Sequence, residues 1–184
     1  MQEIVLGKAV FSDTVCTTDP CYGRGTWCGE FDVKVKPGTY VGKTITGKYG
    51  SWGSRNWRLT ATKENEEIKE WEFGAALGVD SATMSIYDGR HYDEMNESDS
   101  WLRSTSRHAD PHGFVVSSGV GDGSYHLFVG KNEKGENVAL SVVFLFPLAF
   151  SRGVFADNES LPFEDERFIP FAGCPLEDFI EEEE

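Results

Sequence analysis

Three aspartates in this chain stand where the backbone is expected to turn. They are Asp19 in TDPCY, Asp80 in GVDSA and Asp122 in GVGDGSY. If the fold gathers them, three carboxylates bind a divalent cation or act as acid and base in a hydrolysis. Each residue also has a structural explanation, because aspartate before proline, before serine or between glycines favours a tight turn. The spacing therefore leaves a metal-assisted hydrolase and simple turn formation both open.

A second group that could bind a metal is the segment HADPH, which brings His108, Asp110 and His112 within five residues. Two imidazoles and a carboxylate are suitable ligands for a divalent cation. Pro111 removes the regular helical spacing that familiar zinc motifs use. These residues are weak candidate ligands, and loop histidines exposed to solvent are the alternative.

The cysteines and the known catalytic motifs point away from a cofactor. Cys16, Cys21, Cys28 and Cys174 lack paired C-x2-C spacing, so free thiols are favoured over a zinc site. The turn GVGDGSYH contains neither the lysine nor the helix start of a phosphate loop. There is no G-x-S-x-G elbow, H-E-x-x-H pair or dinucleotide fingerprint. We therefore expect no cofactor, and a binding protein rather than an enzyme.

Aromatic residues in glycine-rich loops are the candidates for ligand or partner contact. Rigid rings at a surface recognise ligands and partners well, whereas the same rings under a loop simply fill the core. Both interpretations apply to Tyr22, Trp27, Tyr49, Trp52, Trp57 and Tyr125.

Charge limits the class of partner. The net charge of the chain is −14, and residues 155–184 hold eleven acidic residues against one arginine. Nucleic acids and anionic membranes attract positively charged surfaces, so neither is expected as a partner. A basic protein or a small ligand fits better, and a solvated acidic tail is the plain alternative. The start of the chain has no signal-peptide pattern, which predicts a cytoplasmic protein.

The elements that must position these residues are strands. Residues 113–146 predict three strands, with a hairpin turn at 132–135 and a central strand beginning at Val138 that is covered on both faces. Tyr125, Leu127 and Val129 alternate with the residues between them, which predicts two faces of one strand. Residues 33–46 predict a second hairpin around Pro37 and Gly38.

The fold class expected from these patterns is mainly β. It is an antiparallel β-sandwich or rolled sheet with a short helical insertion near residues 90–109. Residues 1–154 form this domain in the prediction. Residues 155–184 form an acidic, irregular C-terminal strap packed on the domain, with the last residues disordered.

Four segments resemble an uncharacterised family of bacterial and phage proteins, the domain of unknown function 4241. They are TDPCYGRGTWC, KPGTYVG, GVDSATMSIYD and SSGVGDGSYHLFVGKNEKGENVALSVVF. The resemblance covers roughly Val5 to Phe146 and departs at Ala82, where a glycine is expected. It implies a fold and a source in phages or their hosts, and it supplies no catalytic residues.

The functional expectation is a non-enzymatic binding protein. Its setting would be that of a phage or mobile-element accessory factor that binds a host protein or a small ligand. A metal-assisted hydrolase built on the aspartates and a structural, virion-associated protein stay open as alternatives.

Overall fold

Two antiparallel sheets face each other in this protein. The computed structural model describes residues 1–26, 28, 30–97, 106–145 and 172–173. The larger sheet has the strand order β1-β4-β5-β11-β10-β6, and the smaller has the order β3-β2-β7-β9-β8. The strands are β1 (Gln2–Phe11), β2 (Thr14–Thr18), β3 (Glu30–Lys34), β4 (Gly38–Lys48), β5 (Ser54–Lys63), β6 (Glu70–Val79), β7 (Thr83–Asp88), β8 (Arg107–Asp110), β9 (Gly113–Ser117), β10 (Gly123–Lys131) and β11 (Asn137–Val143). The predicted β-sandwich is confirmed.

The core lies between the sheets and follows the predicted alternation. Tyr125, Leu127 and Val129 of β10 lie in this core. Phe128 packs on the opposite face of the strand with Val143. Because successive side chains of a strand point to opposite faces, β10 contributes residues both to the core between the sheets and to the cluster on the outer face. The period-two interpretation of this segment is confirmed.

The hairpin between β10 and β11 is confirmed as well. Asn132 N donates to Glu136 O at 3.0 Å and Gly135 N donates to Asn132 O at 2.9 Å. Gly135 has φ 74°, which glycine adopts without steric cost. Strand β11 lies between β5 and β10, and its residues from Val138 onward are buried. It is the covered internal strand that the apolar run predicts.

The predicted hairpin over residues 33–46 is wrong. Strand β3 pairs with β2 in the smaller sheet, and β4 pairs with β1 and β5 in the larger one. Between them, Val35 N donates to Asp13 O at 3.0 Å and Lys36 N donates to Asn137 O at 2.8 Å. Pro37 has no N–H with which to extend the ladder. The chain therefore crosses from one sheet to the other instead of turning back.

The predicted helical insertion is confirmed at its beginning, whereas its last residues form a strand. Helix α1 (Tyr92–Glu97) is followed, after residues outside the described part, by strand β8. Tyr92 and Met95 are buried with Cys16 beneath the smaller sheet, as their spacing suggests. Residues 107–110 pair with β9 in an antiparallel ladder, so this part of the predicted insertion is a strand. A 3-10 helix (Gly50–Trp52) joins β4 to β5.

The sheets also meet along one edge, which makes the sandwich partly rolled. Strand β1 has an irregularity between Val5 and Gly7 that bends it toward β8. Val10 N then donates to Pro111 O at 2.8 Å. A Cβ at Gly7, whose φ is 153°, would lie 3.2 Å from Ala109 Cβ, so glycine permits this close approach. One edge of each sheet, β1 of the larger and β8 of the smaller, is shielded by this contact.

Four connections converge at one end of the sandwich, which we call the open end. They are the β2–β3 connection, the β4–β5 turn, the β6–β7 turn (residues 80–82) and the β9–β10 turn (residues 118–122). The register places them together, because Thr83 pairs with Ser117 and Gly123 pairs with Val79. The open end therefore gathers segments that are far apart in the sequence.

Little of the predicted C-terminal strap lies in the described part of the chain. Ala172 is buried against Phe128 and Val143 on the outer face of the larger sheet. The predicted boundary at residue 154, the acidic run and the last residues lie outside the described residues. No helix in the described ranges is long and apolar enough to cross a membrane.

Candidate functional site

Asp19 organises the turns of the open end from a fully buried position. Its Oδ2 accepts hydrogen bonds from Asp80 N at 2.9 Å and Ser81 N at 2.7 Å. Its Oδ1 accepts from Cys21 N at 3.0 Å and Ser81 Oγ at 2.5 Å. A carboxylate that accepts four hydrogen bonds has its lone pairs occupied by the protein. Asp19 therefore ties the β2–β3 connection to the β6–β7 turn.

The other two predicted aspartates lie at the same end but are exposed. Asp80 accepts a hydrogen bond from the Tyr22 hydroxyl, and this bond raises the pKa of Tyr22 to about 12. Burial, together with the charges of Asp19, Asp80 and Asp122, raises the pKa of Cys28 to about 11. The charges of all three aspartates therefore act on one thiol. Within the described ranges, no group of three or more His, Cys, Asp or Glu side chains is placed to hold a metal ion.

A cavity of about 380 Å³ opens between the two sheets at this end. It is built from the beginning of β5, the β6–β7 turn, the beginning of β8 and the β9–β10 turn. Its lining is polar and small, with two arginines: Ser54, Arg55, Asn56, Ala82, Ser106, Arg107, Ser117, Ser118, Gly119, Val120 and Gly121. Sequence analysis missed this site. The sequence features that could have indicated the cavity are a Ser-Arg pair at the beginning of both β5 and β8 and the turn SSGVG.

The floor of the cavity is held by Asn56, which is 4% exposed. Its Nδ2 donates to Ser117 O at 2.8 Å and Ser117 Oγ at 2.9 Å, across the gap between the sheets. Its Oδ1 accepts from Arg107 Nε at 3.5 Å and from Thr44 Oγ1 at 3.5 Å. A buried amide with partners on both sheets fixes their spacing at this end.

The β9–β10 turn that closes one wall is also fixed. Gly121 N donates to Ser118 O at 2.8 Å, and Ser118 Oγ donates to Gly121 O at 2.7 Å. The Tyr125 hydroxyl donates to the same carbonyl at 2.7 Å. A Cβ at Gly119, whose φ is 24°, would lie 2.9 Å from Phe144 Cβ. The turn therefore packs against the core, and its own hydrogen bonds hold its shape without a ligand.

The two arginines stand on opposite walls. Arg55 comes from the larger sheet; its Nη1 donates to Ser54 O at 3.0 Å and its guanidinium lies 6.0 Å from the centre of the Trp52 ring. Arg107 comes from the smaller sheet and is oriented by its Nε bond to Asn56. Because none of the described residues that line the cavity is acidic, this part of the lining has a positive formal charge in an acidic protein.

The predicted aromatic contact residues divide into two groups. Trp52 is 50% exposed, and Tyr22 is partly exposed beside Asp80. Trp57 and Tyr125 are buried in the core, 2% and 1% exposed, so the prediction that they contact a ligand at the surface is wrong. Their strand positions point inward, and a ring of that size is more stable in the core than in water. Trp27 lies outside the described residues.

The predicted metal ligands of the HADPH segment do not converge on one point. Asp110 Oδ1 accepts from His112 N at 2.7 Å, and its Oδ2 accepts from the Tyr87 hydroxyl at 2.5 Å. His108 Nε2 lies 3.6 Å from Asp110 Oδ2, whereas the His112 ring stacks on His91 with 3.7 Å between the ring centres. Asp110 thus holds the turn between β8 and β9.

Comparison with known proteins adds no identification. No protein-family model, curated protein or solved structure matches this chain. The resemblance to the domain of unknown function 4241 stays a prediction.

Proposed function

We propose that this protein is a non-enzymatic binding protein and that its ligand site is the cavity at the open end. The supporting observation is the lining, whose described residues offer hydroxyl, amide and guanidinium groups and include no His, Cys, Asp or Glu. A serine nucleophile requires a neighbouring base, and general acid–base catalysis requires a titratable group within hydrogen-bond reach. A lining of hydrogen-bond donors without such a group suits recognition better than turnover.

The preformed shape of the site supports the same proposal. Asn56 and the β9–β10 turn hold the walls through internal hydrogen bonds. A site that is already ordered loses little conformational entropy when a ligand enters. The volume of about 380 Å³ falls within the range of sites for small molecules. A small ligand is therefore favoured over a protein partner at this cavity.

The hydrolase alternative would use the exposed carboxylates of Asp80 and Asp122 at the same end. It has less support, since the oxygens of Asp19 are occupied by the turns that they hold. A phage or mobile-element setting and a virion-associated role rest on the resemblance alone.

The experiment is a thermal-shift assay with a small-molecule extract of host cells. A ligand present at 100 times its dissociation constant stabilises by ~2.7 kcal/mol, which corresponds to roughly 5–10 °C for a chain of this size. We expect this shift for the wild type and its loss in Ser106→Trp, because a large ring at this exposed position fills the cavity. Glu133→Trp, in the exposed β10–β11 hairpin, is the control and should keep the shift.

Two results would contradict the proposal. One is a shift of equal size in the wild type and in Ser106→Trp, which would place the ligand elsewhere. The other is no shift in any variant, with native mass spectrometry showing the bare protein mass after incubation with the extract.

A further inference from the structure

We propose that the ligand of this cavity is a small molecule with an oxyanion group, phosphate or carboxylate, held between Arg55 and Arg107. This inference rests on the proposed function and specifies the class of ligand.

The charge of the lining points to an anion. The chain has 31 acidic residues and 17 lysines and arginines, yet the described lining of the cavity has two arginines and no acidic residue. Arg55 forms no ion pair with a carboxylate of the described residues, and the same is true of Lys34, Lys48 and Lys134 on the outer surface. Arg55 differs from these lysines because it shares a cavity with a second arginine. Two guanidinium groups at one cavity raise the local positive potential and attract an anion.

The positions of the two arginines suit a group that accepts hydrogen bonds on both sides. They stand on different sheets, and Arg107 is oriented by Asn56. Arg55 is oriented by Ser54 O and lies against the face of Trp52. Guanidinium groups form paired, charge-assisted hydrogen bonds with carboxylate and phosphate oxygens. Orientation before binding lowers the entropy that the ligand contacts must offset.

Hydroxyl groups add neutral donors between the arginines. Ser117 Oγ accepts a hydrogen bond from Asn56 Nδ2 at 2.9 Å, so its own hydrogen is available as a donor. Ser54 and Ser106 are exposed at the rim. The rest of the wall is small, with Ala82, Gly119 and Gly121. Such a wall allows the oxygens of a ligand to approach the backbone closely.

Size and overall charge restrict the anion to a small molecule. A volume of about 380 Å³ encloses a metabolite but no polymer. The net charge of −14 repels a polyanion such as a nucleic acid at long range, whereas a mono- or dianion meets mainly the local charge of the cavity. The favoured ligand is thus a free metabolite with one or two oxyanion groups.

Isothermal titration calorimetry with inorganic phosphate and with succinate, at constant ionic strength, tests the inference. We expect saturable binding of at least one anion by the wild type. Arg55→Gln and Arg107→Gln should each weaken it about tenfold or more, the usual effect of losing a charge-assisted hydrogen bond. Arg90→Gln removes the same charge at the other end and should stay within about twofold of the wild type. Binding of phosphate alone or of succinate alone identifies the source of the oxyanion.

The inference is overturned if neither anion binds, or if Arg90→Gln weakens binding as much as Arg55→Gln does. Thermal melting of each variant confirms that it is folded. The thermal-shift assay with the uncharged fraction of the host extract distinguishes failure of the oxyanion assignment from failure of the proposed binding function. If that fraction stabilises the wild type but not Ser106→Trp while neither anion binds, the cavity has a neutral ligand and only the oxyanion assignment is wrong. If no fraction acts through the cavity, the proposed function is wrong as well.

Discussion

Replacing Asp19 by asparagine distinguishes a structural from a catalytic role for the three aspartates. The carboxylate accepts hydrogen bonds from three backbone amides and the Ser81 hydroxyl, and the side chain is fully buried. Asparagine has nearly the same shape, but it offers one acceptor oxygen and an NH2 group in place of the second. With the NH2 group at the position of Oδ2, Asp80 N and Ser81 N face a donor. With the NH2 group at the position of Oδ1, Cys21 N faces a donor, whereas the Ser81 hydroxyl can rotate and accept. At least one backbone amide is therefore left without an acceptor.

The loss of stability follows from those contacts. A hydrogen bond to a charged group contributes about 1.5–3 kcal/mol, so losing one of them costs about that amount even in the better amide orientation. Because a domain is stable by only about 5–15 kcal/mol, this is a large fraction of the total. With a urea slope of ~2 kcal/mol per M, the unfolding midpoint should fall by roughly 1 M.

Urea unfolding followed by circular dichroism measures the effect. Asp80→Asn and Asp122→Asn are the matched controls, since both side chains are exposed and their loss should change stability by no more than about 0.5 kcal/mol. A cost below about 1 kcal/mol for Asp19→Asn would refute the assignment of the four hydrogen bonds. If all three variants stayed folded and lost a measured hydrolytic activity, the hydrolase alternative would replace the binding proposal.

Four further outcomes follow from the structure. Burial lowers the pKa of His126, so the unfolded chain binds more protons below about pH 6.5 and stability should fall on acidification, by up to ~1.4 kcal/mol per pH unit. A pH series of melts should show this fall in the wild type but not in His126→Phe. The Cys28 thiol, whose pKa is about 11, should react with iodoacetamide at neutral pH far more slowly than a free thiol, as measured by mass spectrometry. Gly42→Ala should cost about 1–3 kcal/mol in urea unfolding, because its Cβ would lie 2.3 Å from the Phe114 ring. Ala82→Gly should raise stability by up to about 1 kcal/mol, because Ala82 has φ 56°.

The strands could be predicted from local sequence patterns, because side-chain alternation and turn chemistry depend on residues that are close in the sequence. Alternation in β5 and β10 follows from the period-two geometry of a strand, and both sets of inward residues lie in the core. The hairpin after β10 follows from Asn132 and Gly135, whose turn chemistry acts over four residues. Ala82, at the position where the resemblance suggests a glycine, has the positive φ that glycine would favour.

Sheet membership was not predictable in the same way. Residues 33–46 read as two strands around Pro37 and Gly38, and both strands exist. The segment between them is hydrogen-bonded to Asp13, which lies between β1 and β2, and to Asn137 at the beginning of β11. Both partners lie outside the segment. A pattern within one segment contains no information on such contacts. Two consecutive strands that belong to different sheets therefore have the same sequence pattern as a hairpin.

The cavity shows the same limit for function. Its walls come from four segments, of which the sequence singled out only the β6–β7 and β9–β10 turns. Those turns were selected for Asp80 and Asp122, whereas their neighbours Ala82 and Gly121 line the cavity. Trp57 and Tyr125, two of the predicted contact residues, belong to the core. Sequence reasoning thus indicated two of the segments that form the cavity, but it did not identify the residues that line it.

The buried side chain of Asn56 at the open end contributes both to the fold and to the proposed ligand site. Asn56 follows Arg55 in β5, and its amide bonds to Ser117 and to Arg107 on the other sheet. A buried amide must satisfy its hydrogen bonds, so these contacts are required for the core to close beneath the cavity. The same contacts bring the two arginines to one cavity, because Arg55 precedes Asn56 in the chain and Arg107 Nε bonds to the side chain of Asn56. Closure of the sandwich therefore places one arginine from each sheet where a bridging ligand would contact both.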